Sequence, residues 1–241
     1  MITALVSTYN SERFMANRLD NLLDSTIDGL NIYVLDAASP QNEAAIVRQF
    51  QNDPRTSKTP IIYERTPERI TLYAAWNHMI KKITDKYVTT ANTDDIIHPD
   101  YYRQAIAMLE TGYDMVYCPW YVTPILNQKW PAGGFDGVVD PPLHTTCGHF
   151  PVWRRELHNK YGLFDERFRV IGDAEWWRRL HHHNTRLGKF TTPMGCYATR
   201  GNDNLYYSAK DENGNCCCSS EEWLLSSIVY DKPNHITRKI R

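Results

Sequence analysis

Apolar positions in the first hundred residues alternate between short β-branched runs and stretches with a helical repeat. The runs are typical of strands covered on both faces, and the repeat is typical of helices that pack one face against a sheet. The predicted strands cover residues 2–7, 31–35, 60–64 and 87–91. The intervening helices are predicted to bury Met15, Leu19 and Leu22, then Ala45, Ile46 and Phe50, then Tyr73, Trp76 and Ile80. Alternation of this kind predicts a parallel, doubly wound α/β sheet.

The pattern becomes less regular in the second half of the chain. A helix after Pro99 and a strand over 114–117 are followed by a stretch rich in proline, glycine and aromatic residues, 120–151, which we interpret as a loop that covers or shapes a site. The remaining predictions are helices over 151–160, from 172 and over 219–230, a strand over 194–199, and a loose tail over 232–241.

Two predicted helices start with residues that favour a helix N-terminus. Ser39 is expected to precede the second helix with Pro40 in its first position, and Asn10 or Ser11 is expected to cap the first. Arg18, Asp20 and Asn21 are expected on other faces of that first helix than its leucines.

Two adjacent carboxylates, Asp94 and Asp95, follow the strand that begins at Tyr87. Ligands of open α/β sheets bind at the carboxyl ends of the strands. Neighbouring aspartates in a desolvated crevice repel each other, and a hard divalent cation that carries phosphate oxygens would relieve this repulsion. A solvated turn can have the same composition, so the pattern leaves both interpretations open.

Composition excludes several classes of protein. The net charge of −1 with mixed signs gives no basic face, so nucleic acid is not an expected partner. The six cysteines lack metal-binding C-x-x-C spacing, and reduced thiols are expected, including Cys216, Cys217 and Cys218. His181, His182 and His183 would point in different directions on a helix and cannot converge on one ion.

No apolar run approaches the ~20 residues of a membrane span. The first predicted strand begins at residue 2, which leaves no room for a signal peptide. We therefore expect a cytoplasmic protein, and peripheral contact with a membrane stays open. Fifteen tyrosines and seven tryptophans indicate either a surface that grips sugar rings or a large aromatic core.

Five short motifs occur in a fixed order at predicted strand ends and helix starts. They are Val6-Ser-Thr-Tyr-Asn10, Leu35-Asp-Ala-Ala-Ser39, Leu72-Tyr-Ala-Ala-Trp-Asn77, Asn92-Thr-Asp-Asp95, and Gly162-Leu-Phe-Asp165 followed by Gly172-Asp-Ala-Glu-Trp-Trp-Arg178. Over roughly residues 2–200, the chain resembles the family 2 glycosyltransferases, inverting enzymes of the GT-A fold that use nucleotide-sugar donors. The resemblance implies a doubly wound, mostly parallel sheet flanked by helices, with a smaller acceptor-binding lobe.

The same resemblance implies roles for individual residues. The nucleotide sugar would contact Thr8, Tyr9, Asp36, Arg69, Asp94 and Arg200. Among these, Asp36 would accept a hydrogen bond from the base and Asp94 would face the ribose. Asp95, in a pair that resembles the family's DXD motif, would bind Mg²⁺ or Mn²⁺ that bridges the diphosphate.

Catalysis is implied for Asp173, which matches the position of the family's general base. Displacement at an anomeric carbon leaves negative charge on the diphosphate, which a divalent cation stabilises, and the attacking hydroxyl must lose a proton to a nearby carboxylate. One base and one displacement predict inversion. Aspartate at a helix start can also be a simple cap. Glu175, Trp130 and His149 are predicted to contact the acceptor.

Three positions depart from the family pattern. Ala37 follows Asp36 where many members have a second acid. Arg69 lies where many have an Asn-x-Gly motif, and it can either steady the diphosphate or be a solvated charge before a helix. Arg200 occupies the place of a metal-binding histidine in some relatives, and its charge could neutralise phosphate, which leaves the metal requirement open.

The resulting hypothesis is a glycosyltransferase that moves a sugar from a nucleoside diphosphate to a hydroxyl of a glycan or glycolipid. UDP-sugars are favoured as donors, with dTDP and GDP as alternatives. Residues 1–117 would form the nucleotide-sugar half, and 118–231 the acceptor and catalytic-base half of the same domain. The alternatives are a non-catalytic sugar- or nucleotide-binding module, including a degenerate transferase, and a sugar-phosphate nucleotidyltransferase, although Ser7 to Asn10 lack the glycines of a phosphate loop.

Overall fold

The computed structural model describes residues 1–141, 148–199, 209–210, 213–229 and 239–240 of the 241-residue chain. The helices are α1 Glu12–Leu23, α2 Glu43–Gln51, α3 Leu72–Lys82, α4 Tyr101–Glu110, α5 Glu156–Tyr161, α6 Gly172–His182 and α7 Cys217–Ser227, with a 3₁₀ turn at Pro54–Ser57. The strands are β1 Ile2–Thr8, β2 Leu30–Asp36, β3 Ile61–Arg65, β4 Tyr87–Thr90, β5 Ile96–Ile97, β6 Met115–Tyr117, β7 Trp120–Thr123, β8 Gly137–Val139, β9 Val152–Arg154, β10 Leu187–Lys189, β11 Gly195–Ala198, β12 Ile228–Val229 and β13 Lys239–Ile240.

A seven-stranded sheet, counted over the described residues, forms the centre of the molecule. Its strands lie in the order β10-β6-β9-β4-β1-β2-β3. β1 is parallel to β2 and β4, β2 is parallel to β3, and β6 is parallel to β10. Only β9 runs against its neighbours, β4 and β6. The predicted α/β fold with a mostly parallel, helix-flanked sheet is confirmed.

Helices cover both faces of this sheet with separate apolar clusters. On one face, the leucines of α1, Val47 of α2 and the apolar residues of α4 pack against β1, β2 and β4. On the other face, α3, α5, α6 and α7 contribute an aromatic cluster that includes Trp76, Trp153, Trp176 and Trp177. Because both faces are covered, the central strands consist almost entirely of buried residues.

A smaller four-stranded sheet has the order β5-β11-β7-β8. Two of its strands, β7 and β8, lie inside residues 120–151, the stretch that we expected to be a loop. Glycines, prolines and exposed positions concealed these strands from the sequence pattern, and all three residues of β8 are exposed. β5 follows directly on Asp94 and Asp95, so the smaller sheet adjoins the carboxyl end of β4.

Two predicted helix starts differ from the structure. The segment expected to be a helix from Pro151 begins with β9, and α5 covers only its second half. Val152 and Trp153 form a short apolar run whose periodicity cannot distinguish strand from helix, and pairing with β4 and β6 decides the outcome. Pro40 lies outside α2, because Ser39 directs the backbone into a turn in which its Oγ accepts from the Gln41 amide at 3.2 Å.

The C-terminal segment is described only in part. The helix predicted over 219–230 is α7, which begins two residues earlier and ends at Ser227. β13 pairs antiparallel with β12, with Ile240 opposite Ile228. The other residues of the predicted tail over 232–241 lie outside the described part of the chain.

Candidate active site

The predicted site residues follow strands that end at the same edge of the sheet. Thr8, the last residue of β1, is in register with Asp36, the last residue of β2. β4 is in register with β1, with Leu5 opposite Thr90, so the turn that holds Asp94 and Asp95 emerges at this edge as well. The topology therefore brings together residues that are up to 87 positions apart in the sequence, from Thr8 to Asp95.

Asp36 is buried at 0% exposure and is held by three donors. Its Oδ1 accepts from the Ser39 amide at 2.7 Å, and its Oδ2 accepts from the Tyr63 hydroxyl at 2.8 Å and from the Arg65 guanidinium. Tyr63 and Arg65 are on β3 and were missed by sequence reasoning, since the β3 segment carries no motif. Arg65 is partly exposed, so this cluster presents a guanidinium to solvent and keeps the carboxylate behind it.

Thr8 is also buried, and its neighbour in the structure is a carboxylate that sequence reasoning missed. Oε1 of Glu43 accepts from the Ser11 amide and the Ser39 hydroxyl, both at 2.8 Å, and Thr8 Oγ1 lies 3.4 Å from the same oxygen. Glu43 thus joins the turn after β1 to the turn after β2. Its fixed position beneath both turns makes it a structural support of the site.

Tyr9 and Arg69 lie in contact although they belong to different elements. The guanidinium carbon of Arg69 is 4.2 Å from the centre of the Tyr9 ring, which is a cation–π geometry. Arg69 is exposed and lies three positions before the start of α3. The structure therefore places a solvent-accessible cation beside the end of β1, as a diphosphate-binding role would require.

The Asp94–Asp95 turn is attached to α1 by two buried polar side chains. Asn21 donates to the Ile97 carbonyl and accepts from the Ile97 amide, both at 2.9 Å, and Arg18 donates to the Asp95 carbonyl at 3.0 Å. Arg18 and Asn21 are buried like the leucines, so the expectation of a separate face is wrong for these two residues, whereas Asp20 is partly exposed. The spacing contained the signal, because Arg18 is three positions after buried Met15 and falls on the same face.

The two aspartates of this turn have different environments. Asp95 is 1% exposed, and its Oδ2 accepts from Asn92 at 3.1 Å. Asp94 is half-buried and faces His149. Burial lowers the pKa of His149 to about 4, an effect that the Asp94 charge partly opposes, so the imidazole is neutral at physiological pH. His149 stacks on Tyr197 with ring centres 4.2 Å apart.

The donor set of this turn fits a divalent cation that is completed by substrate. Among the described residues, no group of three or more His, Cys, Asp and Glu side chains could hold a metal ion. Mg²⁺ and Mn²⁺ sites in phosphate-transfer enzymes need only one or two protein carboxylates, since phosphate oxygens and water supply the other ligands. Asp94 and Asp95 can therefore hold a cation together with a bound diphosphate.

Asp173 is in the first turn of α6 and touches the first turn of α3. Its Oδ1 accepts from the Ala174 amide at 2.8 Å and lies 3.3 Å from the Tyr73 hydroxyl. Burial raises the pKa of Asp173 to about 6. A carboxylate with a pKa near neutrality can accept a proton in a reaction and release it afterwards. Arg69 and Tyr73 flank the start of α3, which links Asp173 to the Tyr9 end of β1.

The structure does not bring Glu175 to this surface. The side chain is 0% exposed and forms a bidentate ion pair with Arg179, whose guanidinium also donates to the Tyr161 and Leu163 carbonyls at 2.8 and 2.9 Å. In this arrangement, Glu175 has no surface that an acceptor could touch. The i,i+4 spacing of the two charges on α6 was the signal for this pair.

Trp130 has different neighbours from His149. Its ring contacts His98 and Tyr121, at centre distances of 5.3 and 6.4 Å, and it lies beside Asn17 and Asp20 of α1. Arg200 lies outside the described residues. Of the predicted acceptor residues, His149 is therefore the one that the structure places beside the aspartate pair.

Solved structures share this arrangement of strands and helices. The chain is similar to TarS of S. aureus in complex with UDP-GlcNAc, with a TM-score of 0.72 and 16% identity, over 87% of this chain and 61% of that chain. It is also similar to the mannosyltransferase PcManGT from Pyrobaculum calidifontis in complex with GDP-Man and Mn²⁺, with a TM-score of 0.65 and 19% identity, over 83% of this chain and 58% of that chain. The fold is that of the GT-A glycosyltransferases.

The family assignment comes from sequence. The family model described as Glycosyl transferase family 2 matches residues 3–217, and the chain therefore belongs to glycosyltransferase family 2. Similar curated proteins are EpsE of Bacillus subtilis, 24% identical over 109 residues, and EpsH of the same organism, 25% identical over 117 residues, both provisionally named as glycosyltransferases. The matches cover 45% and 48% of this chain but only 38% and 33% of those relatives.

Along the described residues, no helix has both the length and the apolar character needed to cross a bilayer.

Proposed function

We propose that this glycosyltransferase transfers a sugar from a nucleoside-diphosphate sugar to a hydroxyl of a glycan or glycolipid, with inversion and with Asp173 as general base. The observation that carries the proposal is the position of Asp173. It is a carboxylate with a raised pKa, on the helix that adjoins α3. Arg69, three positions before α3, stacks on Tyr9 at the strand edge where Asp94 and Asp95 emerge.

The donor half of the site is proposed to be the edge formed by the ends of β1, β2 and β4. The base of the nucleotide would contact Arg65 or Asp36 itself, and Asp94 would face the ribose. Arg69 would place positive charge beside the diphosphate. TarS binds UDP-GlcNAc and PcManGT binds GDP-Man, which supports a UDP- or GDP-linked donor, and we favour UDP.

A bound Mg²⁺ or Mn²⁺ would be held by Asp95, with Asp94 beside it, and would stabilise the negative charge of the diphosphate. In the reaction, the acceptor oxygen forms a bond to the anomeric carbon while the bond from that carbon to the phosphate oxygen breaks. The diphosphate leaves with the bonding electron pair, and the acceptor proton passes to Asp173. A single displacement from the opposite face inverts the anomeric configuration.

The acceptor is proposed to approach from the side of Asp173 and His149. The neutral imidazole of His149 can donate or accept one hydrogen bond, and its stack with Tyr197 holds the ring in a fixed orientation. Trp130 would contact only a more distant part of a long acceptor, because its own contacts are with His98 and Tyr121.

Thermal unfolding with UDP, GDP, dTDP or CMP, each with Mn²⁺, Mg²⁺ or EDTA, tests the donor site. A ligand at about 100 times its Kd adds about 2.7 kcal/mol to the free energy of unfolding. We expect UDP with a divalent cation to raise the Tm of the wild type, with GDP as the next candidate.

The matched variants are Asp95→Ala, which should lose the shift, and Asp28→Ala, which should keep it. Asp28 is an exposed aspartate just before β2, at the opposite edge of the parallel sheet. If no nucleotide at millimolar concentration changes the Tm of the wild type, the nucleotide-sugar proposal is wrong.

A further inference from the structure

Helix α7 has a carboxylate within its buried apolar stripe. Cys217, Cys218, Leu225 and Ile228 are each no more than 8% exposed and lie at helical spacing around Glu221. Leu225 and Ile228 belong to the aromatic cluster that also contains Trp176 and Trp177 of α6. Glu221 itself is 6% exposed, although its neighbour Glu222 points to solvent. A charged side chain in such a position is costly unless it is hydrogen-bonded.

The partners of Glu221 are three consecutive backbone amides in the segment before α6. Oε1 accepts from the Arg169 amide, and Oε2 accepts from the Val170 and Ile171 amides, both at 2.9 Å. The Val170 amide is also 3.2 Å from Oε1. This segment is not helical, so its amides have no helix or sheet partners and depend on this carboxylate. Leaving a buried amide unsatisfied costs about 1–3 kcal/mol.

The same segment is held from its other side by Tyr73 of α3. The Tyr73 hydroxyl is 2.6 Å from the Val170 carbonyl and 3.3 Å from Asp173 Oδ1. Gly172 permits this approach, because a Cβ there would lie 2.7 Å from the Tyr73 ring. Residues 169–172 lead directly into Asp173. Glu221 and Tyr73 therefore hold the backbone that immediately precedes the proposed general base.

We propose that Glu221 is a positioning residue for the reaction, which holds residues 169–171 so that Asp173 points at the acceptor hydroxyl. The inference rests on the proposed function of Asp173 as general base. It assigns to the C-terminal helix, which is remote in sequence from every motif of the site, a part in transfer that is distinct from donor binding.

The charge of Glu221 has a second effect on Asp173. Tyr73 on α3 and Glu221 on α7 are titratable groups that act on Asp173 from packed elements. Burial is the main cause of the raised pKa of Asp173, and the negative charge of Glu221 raises this pKa further. The pKa of Tyr73 is raised well above its ordinary value, so Tyr73 stays protonated and contributes no charge. Neutralising Glu221 should therefore lower the pKa of Asp173.

The variants that test this are Glu221→Gln, Glu221→Asp and the control Glu222→Gln, which makes the same charge change on the exposed side of α7. Each is compared with the wild type in two assays. The first is hydrogen exchange of the amides of residues 169–171. The second is release of UDP or GDP from UDP-GlcNAc or GDP-mannose with Mn²⁺, with water as the acceptor, measured as kcat and KM from pH 4.5 to 8.5.

For Glu221→Gln, we expect faster exchange at 169–171, a kcat reduced at least tenfold, a donor KM within about threefold of wild type, and an acidic limb of the pH profile at lower pH. Glu221→Asp keeps the charge but is one methylene shorter, so it should lower kcat without moving the limb. Glu222→Gln should match the wild type in all respects.

A Glu221→Gln or Glu221→Asp protein with wild-type kcat would overturn the role of Glu221, as would unchanged exchange at 169–171 in Glu221→Gln. A rise in donor KM in proportion to the fall in kcat would overturn it too, since that result would assign Glu221 to donor binding. If Glu221→Gln does not fold, Glu221→Asp decides by its kcat. An Asp173→Asn variant with wild-type kcat would instead overturn the proposed general base, and the role of Glu221 with it.

Discussion

At the scale of single residues, the surroundings of each carboxylate indicate whether it is suited to structural support or to proton transfer, which the carboxyl group alone does not determine. Asp36, Glu43 and Glu175 are fully buried, and each accepts hydrogen bonds from groups inside the protein, which suits structural support. Asp173 is half-buried, with a pKa of about 6, which suits proton transfer. The same carboxyl group is thus suited to rigid support or to proton transfer, according to its donors and its access to solvent.

The pKa of Asp173 predicts the pH dependence of the proposed transfer. Only the deprotonated carboxylate can accept a proton, so kcat/KM should rise with pH through about 6 and then level off. Asp173→Asn should lower kcat by about 10²- to 10⁴-fold, the usual contribution of a general base. Steady-state release of the nucleoside diphosphate between pH 4.5 and 8.5 measures both effects.

Stability provides the control for this variant. The pKa of Asp173 is higher in the folded state than the ordinary value, so the stability linked to this group is present at low pH and is lost as pH rises through about 6. Asparagine does not titrate, so the Asp173→Asn variant does not lose this stability as pH rises. Its Tm at pH 7.5 should therefore equal or exceed that of the wild type. An inactive variant with a clearly lower Tm would point to a structural role instead.

At the scale of elements, α1 connects the sheet to the Asp94–Asp95 turn. Its leucines pack against the strands, while Arg18 and Asn21 carry hydrogen bonds to Asp95 and Ile97. These hydrogen bonds therefore fix the position of the turn relative to α1. A short antiparallel pair, β5 with β11, holds the far side of the turn through Ile96 and Ile97.

Asn21→Ala tests the contribution of α1. The change removes the side-chain amide that bonds both the amide and the carbonyl of Ile97. This should lower the free energy of unfolding by about 1–3 kcal/mol. The loosened turn should also reduce the Tm shift caused by UDP or GDP with Mn²⁺. Asn17→Ala is the matched control, since Asn17 is one turn earlier and bonds the Gln128 carbonyl instead. Equal nucleotide shifts in the two variants would contradict the role of Asn21.

At the scale of the whole molecule, the antiparallel strand β9 joins the two parallel parts of the large sheet. Trp153 on β9 lies in the middle of the aromatic cluster, and its indole donates to Nε2 of His158 at 3.0 Å. Since Nε2 accepts this bond, the proton of the neutral ring is on Nδ1, which donates to the Gly162 carbonyl at 3.2 Å. If His158 were protonated, its Nε2–H would face the indole N–H of Trp153, and two donors would oppose each other in the core.

This arrangement predicts a loss of stability in acid. Burial lowers the pKa of His158 to about 3, with the charges of Arg179 and Arg155 acting in the same direction. An unfolded histidine takes up its proton near pH 6.5, so the stability linked to His158 is complete above that pH and falls progressively as pH decreases toward 3. Urea unfolding between pH 7.5 and 4 should show this decline.

His158→Gln should flatten that decline, at the cost of lower stability at pH 7.5, whereas His182→Gln should not, because His182 is exposed. His149, with a pKa lowered to about 4, adds a smaller contribution of the same sign. A His158→Gln variant with the wild-type pH dependence would contradict the assignment of the effect to this ring.

Local pattern in the chain was enough to predict the parallel strands β1 to β4 and their helices. It also placed Asp94 and Asp95 after a strand and Asp173 at a helix start. Both kinds of signal are local, because periodicity and capping depend on neighbours a few residues away. The family resemblance was likewise carried by short motifs and is confirmed. The donor and catalytic roles of individual residues stay predictions, and so do the two proposed halves of the domain.

Other features depend on contacts between distant segments and were not predictable. β9 is a strand because it pairs with β4, and Val152 in β9 is 65 positions after Tyr87 in β4. Glu175 is occupied by Arg179 because α6 packs that face into the core, and Asp36 is held by β3. Glu221 reaches the Arg169 amide, 52 positions away, only because α7 docks on the aromatic cluster. In each case a polar group loses water on burial and must be paired there, and the fold alone determines which partner is within reach.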